Sequence, residues 1–215
     1  EFLLAIPKKF RLIEIQLNFS NKINQVDGFS IAHKITHHLN LSDSYEKLCR
    51  NYSDNLSRNL KKSQKSGTEI SDNILTTDIV NLFRQNRGSG INNLKTADYE
   101  TFLKLMSSAE GRNCLDCRGI FNSSKKLIAG AIFIKSCHSY IFLFSATDAE
   151  AKETGAMSSL INSFIKDHSN EGSFLDFEGS MDTNLARFYK GFGSQEVVYL
   201  QIRKNNLPLL IRWLK

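Results

Sequence analysis

Apolar and polar residues alternate from Phe10 to Asn18, with Ile13, Ile15 and Leu17 set against Leu12, Glu14 and Gln16. That period of two predicts a half-buried strand. Phe29 to Leu41 continues in the same manner after an Asp27-Gly28 turn, and predicts a second strand. Its histidines, His33, His37 and His38, are read as polar strand residues, because a zinc site there would need a helix and a third ligand.

The period then lengthens. A helical segment begins at Ser42 with Tyr45 and Leu48 three apart, and leads into Asn51 to Ser66, where Leu56 and Leu60 form a narrow apolar stripe. Arg58, Lys61, Lys62 and Lys65 fall on the other faces of that helix, and Gly67 stands where a C-cap belongs. Thr76 to Gln85 reads as a short helix, followed by a flexible basic loop with Arg84, Arg87, Gly88 and Gly90, a lid or a surface connection. In Thr96 to Ala109, Tyr99, Phe102, Leu103 and Met106 keep helical spacing, with Thr96 as the cap and Asp98 and Glu100 in the first turn.

From Leu115 the pattern is that of a sheet. Leu115 to Asn122, Leu127 to Lys135 and Tyr140 to Phe144 read as strands, the last two apolar on both faces and joined tightly enough to be antiparallel neighbours. A loop from Ser145 to Gly155 precedes a helix carrying Met157, Leu160, Ile161, Phe164 and Ile165. The first-turn N–H groups of such a helix lack internal partners, so Gly155 and Ala156 mark an anion-binding corner as well as a simple turn. Ser173 to Gly193 then reads as a buried strand from Phe174 to Phe177, a carboxylate at its exit (Glu178), a break, and a short helix with Tyr189 and Lys190. Polar groups at the C-terminal edge of a strand are where open α/β sheets hold ligands. A last strand covers Val197 to Arg203, and the segment Leu207 to Lys215 reads as packed on the sheet in preference to lying on a membrane. This element order predicts an α+β fold with a mixed sheet flanked by helices.

Composition narrows the picture little. In 215 residues, 41% hydrophobic and 23% charged are globular values. Four cysteines do not make a disulfide scaffold, and Cys114 and Cys117 read as small, partly buried thiols with no second pair at metal-binding spacing. The run Phe2 to Ile6 is too short for a bilayer and lacks a charged leader, so the reading is a soluble cytoplasmic fragment that begins inside a larger protein. The net charge of +6 favours anionic partners, and much of it lies between Arg58 and Lys65.

The element order, the helix-opening glycine and the segments LSDSYEKL, NYSDNLSRNLKKSQKSG and FEGSMDTNLARFYKGFG together resemble the Fem-type branch of the GNAT acyltransferase superfamily. Its members resemble two fused GNAT-like halves, and the best known transfer amino acids from aminoacyl-tRNA to the peptide of cell-wall precursors. The resemblance implies that residues 1–41 are the tail of a first half, 42–68 a basic helical connector, and 69–215 a complete second GNAT-like domain. It places Arg58, with Lys61 and Lys62, in a basic helix near the phosphates of a nucleotide-linked substrate, and Tyr189 and Lys190 beside the acyl carbonyl. The residues at the places of the GNAT pyrophosphate loop are Lys152, Gly155 and Met157, and the bulk of Met157 hinders the backbone approach that CoA needs. No long heptad arm of the kind some tRNA-using members carry is present.

Two functions follow as expectations. The first is an acyltransferase moving an acyl or aminoacyl group from acyl-CoA or aminoacyl-tRNA to an amine, with Glu178 as base, Tyr189 as acid or carbonyl donor, Lys190 as electrostatic support and no metal. The second is a non-catalytic GNAT-like module that holds RNA or an anionic surface, the inner membrane surface included, through Arg58, Lys61, Lys62 and Lys65.

Overall fold

The computed structural model describes residues 2–179 and 181–209. In chain order the elements are α1 (Phe2–Ala5), β1 (Leu12–Gln16), β2 (Ser30–Asn40), α2 (Tyr45–Cys49), α3 (Asp54–Lys65), β3 (Glu69–Ser71), α4 (Thr76–Gln85), a 3-10 turn (Arg87–Gly90), α5 (Thr96–Glu110), β4 (Leu115–Phe121), β5 (Leu127–Ser136), β6 (Ser139–Thr147), α6 (Ala149–Thr154), α7 (Ala156–Asp167), β7 (Phe174–Asp176), α8 (Thr183–Lys190) and β8 (Gln195–Asn205). The chain divides into two units, one of Glu1–Thr36, Gly179–Met181 and Glu196–Lys215, the other of His37–Glu178 and Asp182–Gln195.

In the first unit β1 and β8 are antiparallel, Leu12 opposite Asn205 and Gln16 opposite Gln201. Glu14 accepts from the Gln201 side-chain amide at 3.1 Å and lies 3.6 Å from the Arg203 guanidinium. The turn before β2 uses Gly28 at φ 76°, a left-handed conformation that costs a glycine little. The expected C-terminal contact from Leu207 onward falls mostly outside the described residues.

The second unit carries the larger core. Its strands run β2-β7-β6-β5-β4-β3, with β6 and β7 parallel and every other pair antiparallel, so the sheet is mixed and flanked by helices, as the α+β reading expects. One face packs Ala129, Ala131, Phe133 and Phe142 against Leu56 of α3 and Leu160, Ile161 and Phe164 of α7. The other packs Ile132 and Ala146 against Ile79 and Leu82 of α4 and Met106 of α5. β5 is apolar on both sides because it lies between these two layers.

Three expectations change. Residues Ser145–Gly155 are not a loop: β6 runs on to Thr147, and α6 follows, with the Asp148 carboxylate accepting from Ala151 N–H at 2.9 Å as its cap. Thr96 does not cap α5; the cap position is Lys95, whose N–H donates to the Asp98 carboxylate at 2.8 Å. His37 does lie in a strand, β2, but it is fully buried, its ring 6.0 Å from that of Tyr189. Sequence periodicity also passed over β3, whose three residues sit beside β4 at the sheet edge.

Candidate active-site cleft

The cleft begins with an unpaired stretch of strand edge. β6 and β7 pair in parallel only from Ser139/Phe174 to Ile141/Asp176, and β6 continues to Thr147 beyond the end of β7. Within that continuation a β-bulge inserts Leu143, because Phe133 pairs with Phe142 while Ile132 pairs with Phe144. The extra residue switches the alternation of the strand, so Phe142, Ser145 and Thr147 share the α7 side while Phe144 and Ala146 join the α4 core.

A cavity of about 330 Å³ opens there, bounded by Asn59 of α3, Arg87, Phe142, Ser145, Thr147, the α6–α7 corner from Ala151 to Ser158, and Leu185, Phe188 and Tyr189 of α8. Among the described residues, the side chains of Asn59, Arg87, Ser145, Thr147, Lys152, Ser158 and Tyr189 make no hydrogen bond or ion pair with one another or with any other residue. A larger hollow of about 630 Å³ beside α4 differs in this respect. Its Asp148 is held by Lys126 at 2.7 Å and its Asn86 donates to the Leu82 carbonyl at 2.8 Å.

Tyr189 is fixed by packing. Its ring stacks on Phe177 with centroids 4.7 Å apart and meets Phe142 edge-on at 6.3 Å, leaving 7% of the residue exposed. The helix that carries it starts at Asp182, which accepts from Asn184 N–H at 2.8 Å, and ends against the α2–α3 link, where Ser53 N–H donates to the Gly191 carbonyl at 2.9 Å. A side chain at Gly193 would come 2.8 Å from Asn51 Cβ, which is why the segment ends in glycine. Burial raises the Tyr189 phenol above its usual value; Arg87 opposes this, and Asp182 and Glu178 add to it. At neutral pH the group is a protonated hydroxyl, able to donate.

The α6–α7 corner is equally constrained. Gly155 sits at φ 72°, and an added Cβ would lie 2.8 Å from the Asn59 carbonyl oxygen. α7 then opens toward the cleft, with Lys152 on the preceding helix among the lining residues. The expected flexible basic loop after α4 is instead a pinned 3-10 turn. Asn86 and Ser89 hydrogen-bond within it, Gly88 packs where a Cβ would meet the Tyr99 hydroxyl at 2.8 Å, and Arg84 lies 4.8 Å over the Tyr99 ring.

Of the residues singled out by sequence, Tyr189, Lys152 and Gly155 are brought together at this cleft, with Ala156 buried beneath. Lys190 is exposed on α8 and is not among the lining residues. Glu178 is exposed just past β7, in a left-handed conformation at φ 63° held by donation of its N–H to Asp176 at 2.8 Å. Arg58, Lys61 and Lys62 are exposed on α3, whose Asn59 reaches the cleft while they do not line it. Sequence reasoning missed Asn59, Ser145 and Thr147. Only the bulge could have revealed the last two, and a bulge leaves no periodic trace.

A second polar cluster lies on the same sheet between β4, β6 and α7. Arg118 donates to both Asp116 oxygens at 2.9 and 3.0 Å and to Ser163 at 2.9 Å, and Tyr140 donates to Glu171 at 2.8 Å. The His168 ring lies 2.9 Å from Glu171 and 3.4 Å from Asp116. Burial works against the His168 charge, yet the hydrogen bonds to Asp116 and Glu171 and their charges prevail and raise its pKa. Asp116 is likewise disfavoured by burial and still held low by His168 and Arg118. These groups satisfy one another, so the cluster is structural. Among the described residues no group of histidines, cysteines and acids could hold a metal ion, and no helix is long and apolar enough to cross a membrane.

No family model and no curated protein matches the sequence. Solved structures do. FemX matches with a TM-score of 0.62 at 12% identity, over 83% of this chain and 64% of its own. A conserved protein of unknown function from Bacteroides thetaiotaomicron gives 0.60 at 8%, over 82% and 62%. L-PGS from Bacillus licheniformis gives 0.53 at 8%, over 87% and 65%. The likeness is one of fold, and this chain spans less than two thirds of each of these three proteins.

Proposed function

We propose that the protein is an acyltransferase that passes an acyl or aminoacyl group from a phosphate-bearing donor to an amine. The observation that carries this reading is the cleft itself: unengaged polar side chains around a protonated, immobilised Tyr189, beside the unpaired edge of β6. In the reaction the amine nitrogen attacks the donor carbonyl, the C–N bond forms, and the C–O or C–S bond to the donor breaks. Tyr189 donates its hydroxyl proton to the leaving oxygen or sulfur, and Glu178 draws the amine proton away through a water. Lys190 adds electrostatic support, and donor phosphates lie toward Lys152, the start of α7 and the α3 cations. The Fem-type resemblance favours aminoacyl-tRNA as donor and a cell-wall peptide as acceptor, at a cytoplasmic site.

Thermal-shift screening of the full chain against CoA thioesters, aminoacyl-tRNA analogues and nucleotide sugars identifies the donor, since a ligand of the folded state alone raises its melting temperature. With that donor, Tyr189→Phe lowers turnover at least about tenfold while leaving the melting temperature unchanged, the loss expected when a positioned acid is removed. Unchanged turnover would take Tyr189 out of the mechanism.

A second reading, a module that binds RNA or an anionic surface without catalysis, is favoured by one observation. Arg58, Lys61, Lys62 and Lys65 are all exposed on one helix and none is ion-paired among the described residues.

A further inference from the structure

Arg87 is held in a way that acyl transfer alone does not explain. α4 ends at Gln85, and the turn that follows is fixed on both sides: Asn86 donates back to Leu82, Ser89 donates to the Asn86 carbonyl at 2.6 Å, and Gly88 lies against Phe83 and Tyr99 too closely for any side chain. Arg84, the neighbouring cation, is taken up by the Tyr99 ring. Arg87 is not taken up. It lines the cleft with Tyr189, where its positive charge favours the ionised phenol, and has no hydrogen bond or ion pair among the described residues.

Among the described residues the cleft wall contains two cations, Arg87 and Lys152, and no carboxylate. Lys152 belongs to the α6–α7 corner, where the donor phosphates are placed. Arg87 lines the same cleft as Tyr189, at which the acyltransferase reading sets the reacting carbonyl, and on that reading the acceptor comes within its reach. A guanidinium presents a planar fork that a carboxylate fills with two parallel hydrogen bonds, a better geometric match than a lysine ammonium offers.

Resting on the acyltransferase reading, we propose that Arg87 is a carboxylate-binding subsite for the acceptor, so that the amine acylated here belongs to an amino acid or peptide residue with a carboxylate next to its amino group. Arg87 orients the acceptor through its carboxylate and directs the amine toward the carbonyl. It selects the acceptor and takes no part in bond making.

The test is an NMR titration of the whole chain with glycine, glycinamide and inorganic phosphate, following the Arg87 Nε–Hε resonance in the natural sequence and the backbone amides of residue 87 and Gly88 in that sequence and in Arg87→Gln and Arg87→Lys. Glycine is expected to bind at least about fivefold tighter than glycinamide, as one charge-assisted bidentate pair allows. Arg87→Gln should abolish that preference and Arg87→Lys keep part of it, with the backbone amide resonances of β4 and β5 unmoved in the free protein. Equal affinities, no binding of either amine, a preference that survives Arg87→Gln, or phosphate outcompeting glycine at Arg87 would each overturn the proposal. A carboxylate preference without acyl transfer from any donor would remove the acyltransferase reading and leave the anion subsite standing. Transfer without the preference would remove the subsite alone.

Discussion

Gly155 shows how one residue ties the cleft to the packing behind it. Its φ of 72° and the 2.8 Å gap that a Cβ would leave to the Asn59 carbonyl are separate obstacles to any side chain. Gly155→Ala is therefore expected to destabilise the protein by about 1–3 kcal/mol, the range for a non-glycine residue held in a sparsely populated conformation, read from urea denaturation midpoints. A loss of donor affinity with no loss of stability would mean that the glycine serves phosphate approach alone. The sequence made Gly155 legible as a turn, because a glycine before an amphipathic run is a local signal. Its contact with α3 was not legible, since Asn59 lies far away in the chain and nothing in its own surroundings marks it. Tyr189 was legible because an aromatic in a short helix after a buried strand is both core and edge. Glu178 stood out as a carboxylate at a strand exit, while the left-handed turn that orients it could not be read from a non-glycine residue.

Among the elements, long periodic ones were the easiest to find. α4, α5 and α7 carry several apolar positions at helical spacing, and β5 is apolar from Leu127 to Ile134. α6 escaped because six residues make fewer than two turns, too short for a period to emerge, and its cap, Asp148, resembles any loop aspartate. The cluster that joins β4, β6 and α7 has a consequence for pH. His168 has a raised pKa, so its contribution to stability is complete below its ordinary value of 6.5 and is lost as pH rises through the folded value. Asp116 and Glu171 have lowered values, so theirs is complete above the ordinary 3.8 and 4.5 and is lost as pH falls through the folded values. The network as a whole is therefore strongest between about pH 4.5 and 6.5. Urea midpoints measured across pH should decline on the alkaline side of that window, and His168→Gln should flatten the decline. An identical alkaline slope in the variant would show that another group governs it.

For the whole molecule, fold and charge point to different experiments. The α+β class with its mixed sheet was legible from the order of elements, whereas the division into Glu1–Thr36 with Glu196–Lys215 on one side and His37–Glu178 on the other was not, because β2 and β8 each run through the boundary as continuous strands. The cations of α3 were legible as a group, since helical spacing alone spreads Arg58, Lys62 and Lys65 over adjoining positions. If they hold a nucleic-acid donor or RNA, affinity falls linearly with salt on logarithmic axes, and removing all three charges lowers the slope by about 2–3. A slope that does not change would assign them to solvation. Leu143 has a further consequence for the shape of the cleft. Because Phe133 already faces Phe142 and Ile132 already faces Phe144, losing Leu143 alone would close the bulge into a regular ladder and leave Ser145 and Thr147 toward the cleft and Phe144 and Ala146 in the α4 core. The extra residue therefore supplies a local bend and added twist at the mouth of the cleft, and the polar wall that Ser145 and Thr147 form would outlast its removal.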